Sequence, residues 1–347
     1  MVPLSKTDLL AAWKALDSSH ASENYFGEQG WRGVVILEYH GCQFYAGRRH
    51  PDNEEILVIF FSKLTLQNIP LLPTSKGFRV EVTGLRERKC RGLMINRQQS
   101  GNADIFTTMT LDIINILVAS NTKDNTLQLT LILKRIRLWQ AFMERELRPL
   151  SQREEVGLSG ELTCLQQLLD SGMEPVTAIK SWVGPQHGIQ DFKVEHAALE
   201  VKSTTTVQGF CVNIHSLEQL DHQRMSSLAL CGYRFSEHPS GLTLNQRVQH
   251  LYQGLKGHPL AASIFEGTLC HAGYLDDHAE FYTSRFLLMN TYCWVIDDTF
   301  PRLTHANVPL PVVNVCYQME LQSLLPRSQD LSYYLSVFVA GLTDGTY

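Results

Sequence analysis

The stretch that most constrains this chain is IQDFKVEHAALEVKST, residues 189–204, which has the pattern of two short β-strands. Apolar residues dominate it, yet Asp191, Glu200 and Lys202 lie along it. Charged groups on a half-buried sheet are costly unless something pairs with them. The stretch therefore predicts either a solvent-facing ladder of ion pairs or a functional site, and the surrounding sequence distinguishes the two.

A hairpin that turns at residues 195–196 fixes the register of these strands. It pairs Phe192 with Leu199, and it places Asp191 opposite Glu200. Two carboxylates in that position repel each other, whereas a divalent cation between them reverses the sign of the interaction. An oxygen-only site of carboxylates and water suits Mg²⁺, and Mn²⁺ is expected to substitute for it.

Lys202 lies beside this predicted pair of carboxylates. Because side chains alternate along a strand, Lys202 shares a face with Glu200. An ammonium group there can hold or activate a water molecule and neutralise charge that develops on a phosphate. The predicted site thus combines candidate metal ligands with a positive charge.

A helix upstream is predicted to supply a third carboxylate. Ser151 and Glu154 form a capping box, S-x-x-E, and an apolar helical stripe follows it. Glu161 lies at the edge of that stripe. Gly157 and Gly160 lie on the same flank, and each costs a helix about 1 kcal/mol relative to alanine. Close approach of a strand or a ligand would explain both glycines, so we expect Glu161 to face the site.

The arrangement GLSGELTCLQQLL, SWVGPQHGIQDF and ALEVKST, within residues 151–220, resembles the PD-(D/E)XK nuclease superfamily. More narrowly, it is similar to the bacterial PD-(D/E)XK motif proteins that are often encoded beside methyltransferases and ATPases in phage-defence clusters. Gln190 stands where the superfamily name has proline. The residues that match the motif are Glu161, Asp191, Glu200 and Lys202.

The resemblance implies a restriction-endonuclease-like core and Mg²⁺-dependent cleavage of a DNA phosphodiester, in a restriction or phage-defence system. It implies catalytic roles for all four matching residues and metal binding by Glu161, Asp191 and Glu200. DNA is the expected partner, with a methyltransferase, an ATPase or a second copy as further candidates. The alternatives are a non-catalytic DNA-binding or scaffold subunit that keeps the nuclease fold, and a structural module without a nucleic-acid role.

The acidic-x-Lys tripeptide occurs three times in the chain, so position has to select among the copies. The first copy lies in the charge run GLRERKCR, which is typical of a solvated loop. The second would need Asp170 as its upstream acid. The third alone has an apolar strand around it, an acid opposite and a helix glutamate before it. The copies begin at Glu87, Asp191 and Glu200.

The length and composition predict a folded protein with more than one part. The chain has 347 residues, 44% hydrophobic and 19% charged, and single cores rarely grow beyond about 250–300 residues. We expect an α/β protein, α+β overall, with a β-rich N-terminal domain, a nuclease core and an α/β C-terminal region packing on the core. The corresponding ranges are 1–149, 150–235 and 236–347. The run at 126–150 is predicted to be a strand that passes into a helix.

The formal net charge of −5 and the pI near 6.2 argue against a histone-like or polybasic interaction. DNA binding by such a chain needs a local basic surface, which contacts the phosphates. The candidates for DNA contact all lie in the N-terminal domain: Arg48, Arg49, Arg86, Arg88 and Arg91.

The sequence also predicts a cytoplasmic protein with reduced thiols. Its eight cysteines are scattered, without a C-x-x-C pair or zinc-finger spacing. The N-terminus resembles neither a signal peptide nor a transit peptide. Since no run of about eighteen apolar residues occurs, we expect no membrane span.

Overall fold

The computed structural model describes residues 4–17, 30–63, 72–85, 88–144, 148–223 and 225–344. The protein is α+β as predicted, with 41% of its residues in helices and 29% in strands. It divides into two compact units, one built from residues 1–147 with 262–267 and the other from 148–261 with 268–347.

The first unit contains an antiparallel sheet of five strands in the order β1-β2-β3-β5-β4. These strands confirm the β-rich character predicted for the N-terminal region. They are β1 (Trp31–Tyr39), β2 (Cys42–Arg49), β3 (Glu54–Phe61), β4 (Phe78–Leu85) and β5 (Arg88–Arg97). The helices of this unit are α1 (Lys6–Asp17), α2 (Ala103–Ser120) and α3 (Asn125–Glu144).

The prediction of a strand passing into a helix at 126–150 is wrong for its first part, because α3 is helical from Asn125 to Glu144. Ile132, Ile136 and Trp139 recur at helical spacing and are fully buried. The indole nitrogen of Trp139 also donates to buried Asp112 of α2, at 2.6 Å. Packing of one helical face therefore outweighs the β-propensity of the branched residues.

Helix α2 has the length and mean hydropathy of a membrane span, the one such helix in the described part of the chain. Of its apolar window, 61% is buried within the protein. Asp112, in the middle of α2, forms a buried ion pair with Arg135 of α3. These contacts are typical of the core helix of a folded unit.

The second unit contains a four-stranded sheet in the order β10-β9-β7-β6, in which β7 and β9 are parallel and the other pairs antiparallel. Its strands are β6 (Phe192–Val194), β7 (Ala197–Thr204), β9 (Ser227–Leu242) and β10 (Phe286–Val295). A separate two-stranded sheet pairs β8 (Cys211–Ile214) with β11 (Tyr317–Glu320). The helices are α4 (Gln152–Asp170), α5 (Pro175–Ser181), α6 (Leu244–Gly254) and α8 (Leu331–Asp344), while α7 (Pro259–His271) has residues in both units.

The predicted hairpin is present with the predicted register. Phe192 pairs with Leu199 and Val194 with Ala197. Glu195, at the turn, has a positive φ of 49°. The capping box at the start of α4 is also present, because the side chains of Ser151 and Glu154 each accept from the other's backbone N–H.

The strand β9 runs through the boundary predicted after residue 235. It extends from Ser227 to Leu242 and pairs with both β7 and β10. The ranges 150–235 and 236–347 therefore share one sheet. The N-terminal segment of the first unit ends at residue 147, two residues before the boundary predicted there.

The two glycines on the flank of α4 have different surroundings. A Cβ added at Gly160 would lie 1.8 Å from Oγ and 3.1 Å from Cβ of Ser203 in β7. A Cβ added at Gly157 would meet no heavy atom within 4 Å. Close approach of a strand thus explains Gly160 but not Gly157, and it sets the distance between α4 and the strand that carries Glu200.

We therefore predict opposite effects of alanine at these two positions. Gly160→Ala should lower the free energy of unfolding by about 1–3 kcal/mol, because Ser203 and the helix must shift apart. Gly157→Ala should raise it by about 0.5–1 kcal/mol, because it removes backbone freedom from the unfolded chain without a clash. Denaturant titration of both variants checks this, and equal effects would contradict the packing of α4 on β7.

Candidate active site

The structure brings the four predicted site residues together at one edge of the second unit's sheet. Glu161 comes from α4, Asp191 directly precedes β6, and Glu200 and Lys202 lie on β7. Each of the three carboxylates lies near enough to others of the group to shift their pKa values. Nζ of Lys202 is 2.7 Å from Oε1 of Glu200.

Two of the carboxylates have one oxygen held by a neutral donor. The indole N–H of Trp182 donates to Oε2 of Glu161 at 2.7 Å. The backbone N–H of Val201 donates to Oδ2 of Asp191, also at 2.7 Å. Within the described part of the chain, the other oxygen of each carboxylate accepts no hydrogen bond.

Glu200 likewise has one oxygen that accepts hydrogen bonds and one that does not. Oε1 accepts from Nε2 of Gln219 at 2.5 Å and from the ammonium group of Lys202. Oε2 is buried and has no hydrogen-bond partner among the described residues. The side chain of Glu200 is 1% exposed, so this unpaired oxygen is costly unless a cation or a proton satisfies it.

The loop after α5 shapes the surroundings of Asp191. The backbone N–H groups of Val183 and Gly184 donate to the carbonyl oxygen of Asp191 at 2.8 and 2.9 Å. A Cβ at Gly184 would lie 2.7 Å from Oδ1 of Asp191. Glycine at this position therefore leaves room for the carboxylate, and the same loop begins with Trp182, which holds Glu161.

When all three carboxylates are ionised, they carry more negative charge than Lys202 balances. Burial, followed by the charge of Asp191, raises the pKa of Glu161 to about 8. Burial raises the pKa of Asp191, and burial together with the charge of Asp191 raises that of Glu200. Burial acts to lower the pKa of Lys202, but the charges of Glu200 and Asp191 outweigh it and raise that pKa. Lys202 is therefore an ammonium group at neutral pH.

The donor chemistry fits a divalent cation. Ligating carboxylates commonly have their remaining oxygen held by a hydrogen bond, as all three do here. The unpaired Oε2 of Glu200 and the repulsion among the ionised carboxylates both favour a cation in the site. Among the described residues, no three His, Cys, Asp or Glu side chains already lie close enough together to hold a metal ion.

A family model described as "Putative PD-(D/E)XK family member, (DUF4420)" matches residues 9–322. The chain belongs to this PD-(D/E)XK family. The match covers nearly the whole chain, and it confirms the resemblance that rested on residues 151–220. No curated protein and no solved structure matches the chain.

The raised pKa of Glu161 predicts how stability without metal depends on pH. Its pKa in the fold, about 8, lies above the usual value of 4.5. The proton is therefore held more tightly in the folded state, and the stability it contributes is present below about pH 4.5 and lost as the pH rises to about 8. Glu161→Gln should abolish this loss of stability. At pH 8 its free energy of unfolding should exceed that of the wild type by an amount on the order of 1–3 kcal/mol, after allowance for the partial exposure of Glu161.

Denaturant titrations of the wild type and Glu161→Gln in EDTA, at pH 5 and pH 8, measure this difference. The gain from the substitution should be small at pH 5 and largest at pH 8. A constant difference between the two proteins at both pH values would show that Glu161 is not a buried carboxylate with a raised pKa.

Two of the arginines predicted to contact DNA are engaged within the first unit. Arg48 is 9% exposed and forms ion pairs with Asp17 at 2.9 Å and Glu55 at 2.7 Å. Arg49 forms an ion pair with Glu81 at 3.0 Å. Their guanidinium groups thus already have carboxylate partners, and DNA contact by Arg48 and Arg49 stays a prediction.

Of the other three arginines of this group, only the side chain of Arg91 is described by the structure. Arg91 is exposed on β5. Arg88 begins the same strand, but its side chain lies outside the description, and Arg86 lies outside the described residues. DNA contact by Arg86, Arg88 and Arg91 also stays a prediction.

Sequence reasoning missed the donors that hold the carboxylates. Trp182 lies in the loop SWVGPQHG, and Gln219 lies in SLEQLD, so neither belongs to the acidic-x-Lys pattern. Trp182 itself was a usable signal, because the indole N–H of a tryptophan needs an acceptor when it is buried, as it is in the structure. No comparable signal identified Gln219.

Proposed function

We propose that this protein is a Mg²⁺-dependent endonuclease that hydrolyses DNA phosphodiester bonds. The observation that carries the proposal is the cluster of Glu161, Asp191, Glu200 and Lys202, in which each carboxylate has one oxygen that accepts no hydrogen bond from the described residues. Membership of the PD-(D/E)XK family supports the same chemistry. Mn²⁺ should substitute for Mg²⁺ because it accepts the same oxygen ligands.

In this proposal Glu161, Asp191 and Glu200 hold the cation. When bound, it supplies Lewis acidity that stabilises negative charge on the phosphate oxygens. Lys202 acts as a positive charge rather than as a base, because the carboxylates around it raise its pKa. Its ammonium group orients a water molecule by donating to it and stabilises the negative charge of the transition state.

The competing function is a non-catalytic DNA-binding or scaffold subunit that keeps the nuclease fold. Such a subunit has no need of a buried carboxylate cluster with an unpaired oxygen, and that cluster is costly to the fold. The complete set of four residues therefore favours an enzyme. We place the enzyme in a cytoplasmic restriction or antiviral defence system, with a methyltransferase, an ATPase or a second copy as candidate partners.

Nicking of supercoiled plasmid DNA tests the proposed activity. The wild type should nick the plasmid with Mg²⁺ or Mn²⁺ and not with EDTA. Lys202→Met should lose the activity, whereas Lys193→Met should keep it. Lys193 is a matched control because it is exposed on β6 and completes the competing acidic-x-Lys copy. Metal-independent nicking, or equal nicking by both variants, would contradict the proposal.

DNA binding is proposed to use the first unit, through the basic residues near the end of its sheet. The chain's charge of −5 leaves no diffuse positive field, so phosphate contacts require local arginines. Arg91→Glu should weaken DNA binding and reduce its dependence on salt. Unchanged affinity and salt dependence would move DNA recognition elsewhere.

A further inference from the structure

We propose that residues 216–221 form a positioning segment for the carboxylate site, acting through Gln219 and Gln190. The proposal rests on the proposed function, because it assigns these glutamines to the binding of the divalent cation. Neither residue belongs to the acidic-x-Lys pattern, and neither is expected to touch the cation. Each acts through a carboxylate or through the backbone beside one.

Gln219 has both ends of its side-chain amide engaged. Its Oε1 accepts from the backbone N–H of His215 at 2.9 Å, and its Nε2 donates to Oε1 of Glu200 at 2.5 Å. The first bond fixes the orientation of the amide, because a flipped amide would set NH₂ against an N–H and a carbonyl against a carboxylate. Gln219 is therefore held as a donor to Glu200.

The consequence for Glu200 is that its two oxygens have different roles. Gln219 and Lys202 both bind Oε1, and Oε2 is left buried without a partner among the described residues. Because the amide of Gln219 is neutral, it fixes the carboxylate without neutralising its charge. Gln219 thus presents Oε2 of Glu200 as an oriented ligand for a cation.

The side chain of Gln190 links the residue before Asp191 to the same segment. It is 3% exposed, and its Nε2 donates to the backbone carbonyls of Glu218 and Gln219 at 3.2 and 3.3 Å. Asp191 directly follows Gln190 in the chain. The side chain of Gln190 therefore links the backbone beside Asp191 to the backbone of Gln219, and Gln219 in turn holds Glu200. Proline at this place would have no donor for that link.

The segment is also held on its outer side. Nε2 of His305 is 2.7 Å from Oε1 of Glu218, and the thiol of Cys316 donates to the carbonyl of His215 at 3.2 Å. These contacts limit the freedom of the backbone next to Gln219. The segment therefore has the fixed geometry that a positioning role requires.

The test compares Mn²⁺ binding by Gln219→Met, Gln190→Met and the double variant, using the rise in melting temperature with Mn²⁺ concentration. Gln219→Met should weaken the Mn²⁺ affinity about tenfold or more, as expected for loss of a hydrogen bond behind a metal ligand. The Mn²⁺ concentration for half-maximal nicking should rise in parallel. The matched control is Gln223→Met, whose side chain is exposed, and it should bind like the wild type.

The double variant tests whether the two glutamines act together. If Gln190 works through the segment that carries Gln219, the double variant should bind Mn²⁺ no more weakly than Gln219→Met alone. Additive losses would overturn the role of Gln190. Gln219→Asn is a second variant of the same contact, because it keeps the amide but shortens its reach, and it should also weaken binding.

Failure of this inference can be distinguished from failure of the proposed function. If the wild type binds Mn²⁺ and Gln219→Met and Gln219→Asn bind it equally well, Gln219 has no positioning role and the proposed function stands. A lower melting temperature without metal, with unchanged Mn²⁺ affinity, would likewise overturn the positioning role. If the wild type itself shows no Mn²⁺-dependent shift, the proposed function and this inference both fail.

Discussion

Replacing Glu200 with glutamine is expected to raise the melting temperature of the metal-free protein and to abolish DNA cleavage. Glu200 is buried, and its pKa is raised by burial and by the charge of Asp191. Glutamine keeps the shape and an acceptor for Gln219 while removing one of the repelling charges. The gain in stability should be on the order of 1–3 kcal/mol at pH 8. The loss of cleavage should be on the order of 10³-fold or more, the scale seen when one group that stabilises a transition state is removed.

The matched control for this substitution is Glu195→Gln at the exposed hairpin turn. It should change neither stability nor cleavage, because Glu195 is solvated. Thermal melts in EDTA and plasmid nicking in Mg²⁺ measure the two effects. A clear drop in melting temperature for Glu200→Gln would show that the carboxylate is a structural partner of Lys202.

Lys202→Met should have the largest effect on the stability of the metal-free protein. Nζ of Lys202 lies 2.7 Å from Glu200, and its side chain is 16% exposed. Removing it leaves buried Glu200 and the half-buried Glu161 and Asp191 without a positive charge, and breaking a buried ion pair in this way costs about 3–5 kcal/mol. The loss should be larger at pH 8 than at pH 5, because protonation of the carboxylates relieves their repulsion at low pH.

A double-mutant cycle tests the physical cause of that loss. Adding Glu200→Gln to Lys202→Met should recover much of the lost stability, since it removes one of the unpaired charges, but it should not recover cleavage. Denaturant titrations of the two single variants and the double variant give the coupling energy. Strictly additive changes in the free energy of unfolding would show that Lys202 and Glu200 do not interact electrostatically.

Much of the candidate site could be predicted because it is local in sequence. The alternation of β7 and the short turn at Glu195 set the register of the hairpin, which the structure confirms between Phe192 and Leu199. The capping box fixed the start of α4 and, with it, the face on which Glu161 lies. Periodicity of 2.0 in strands and 3.6 in helices is enough for predictions of this kind.

The rest depended on contacts between distant parts of the chain. Gln219 reaches Glu200 only because the segment after β8 folds back over β7, and a single amide leaves no periodic signal. The pairing of Arg48 with Glu55 follows from cross-strand register, which the charge pattern alone does not give. The boundary predicted after residue 235 falls within β9, and the pairing of β9 with β7 and β10 is likewise a contact between distant parts of the chain.

The most direct test of the account is a calorimetric titration of Mn²⁺ into the wild type and into Glu200→Gln at pH 8, without DNA. We expect saturable binding by the wild type and its loss in Glu200→Gln, because that substitution removes the carboxylate of the buried ligand with the unpaired oxygen. Equal binding by the two proteins, or no binding by the wild type at millimolar Mn²⁺, would contradict the assignment of a metal site to these carboxylates.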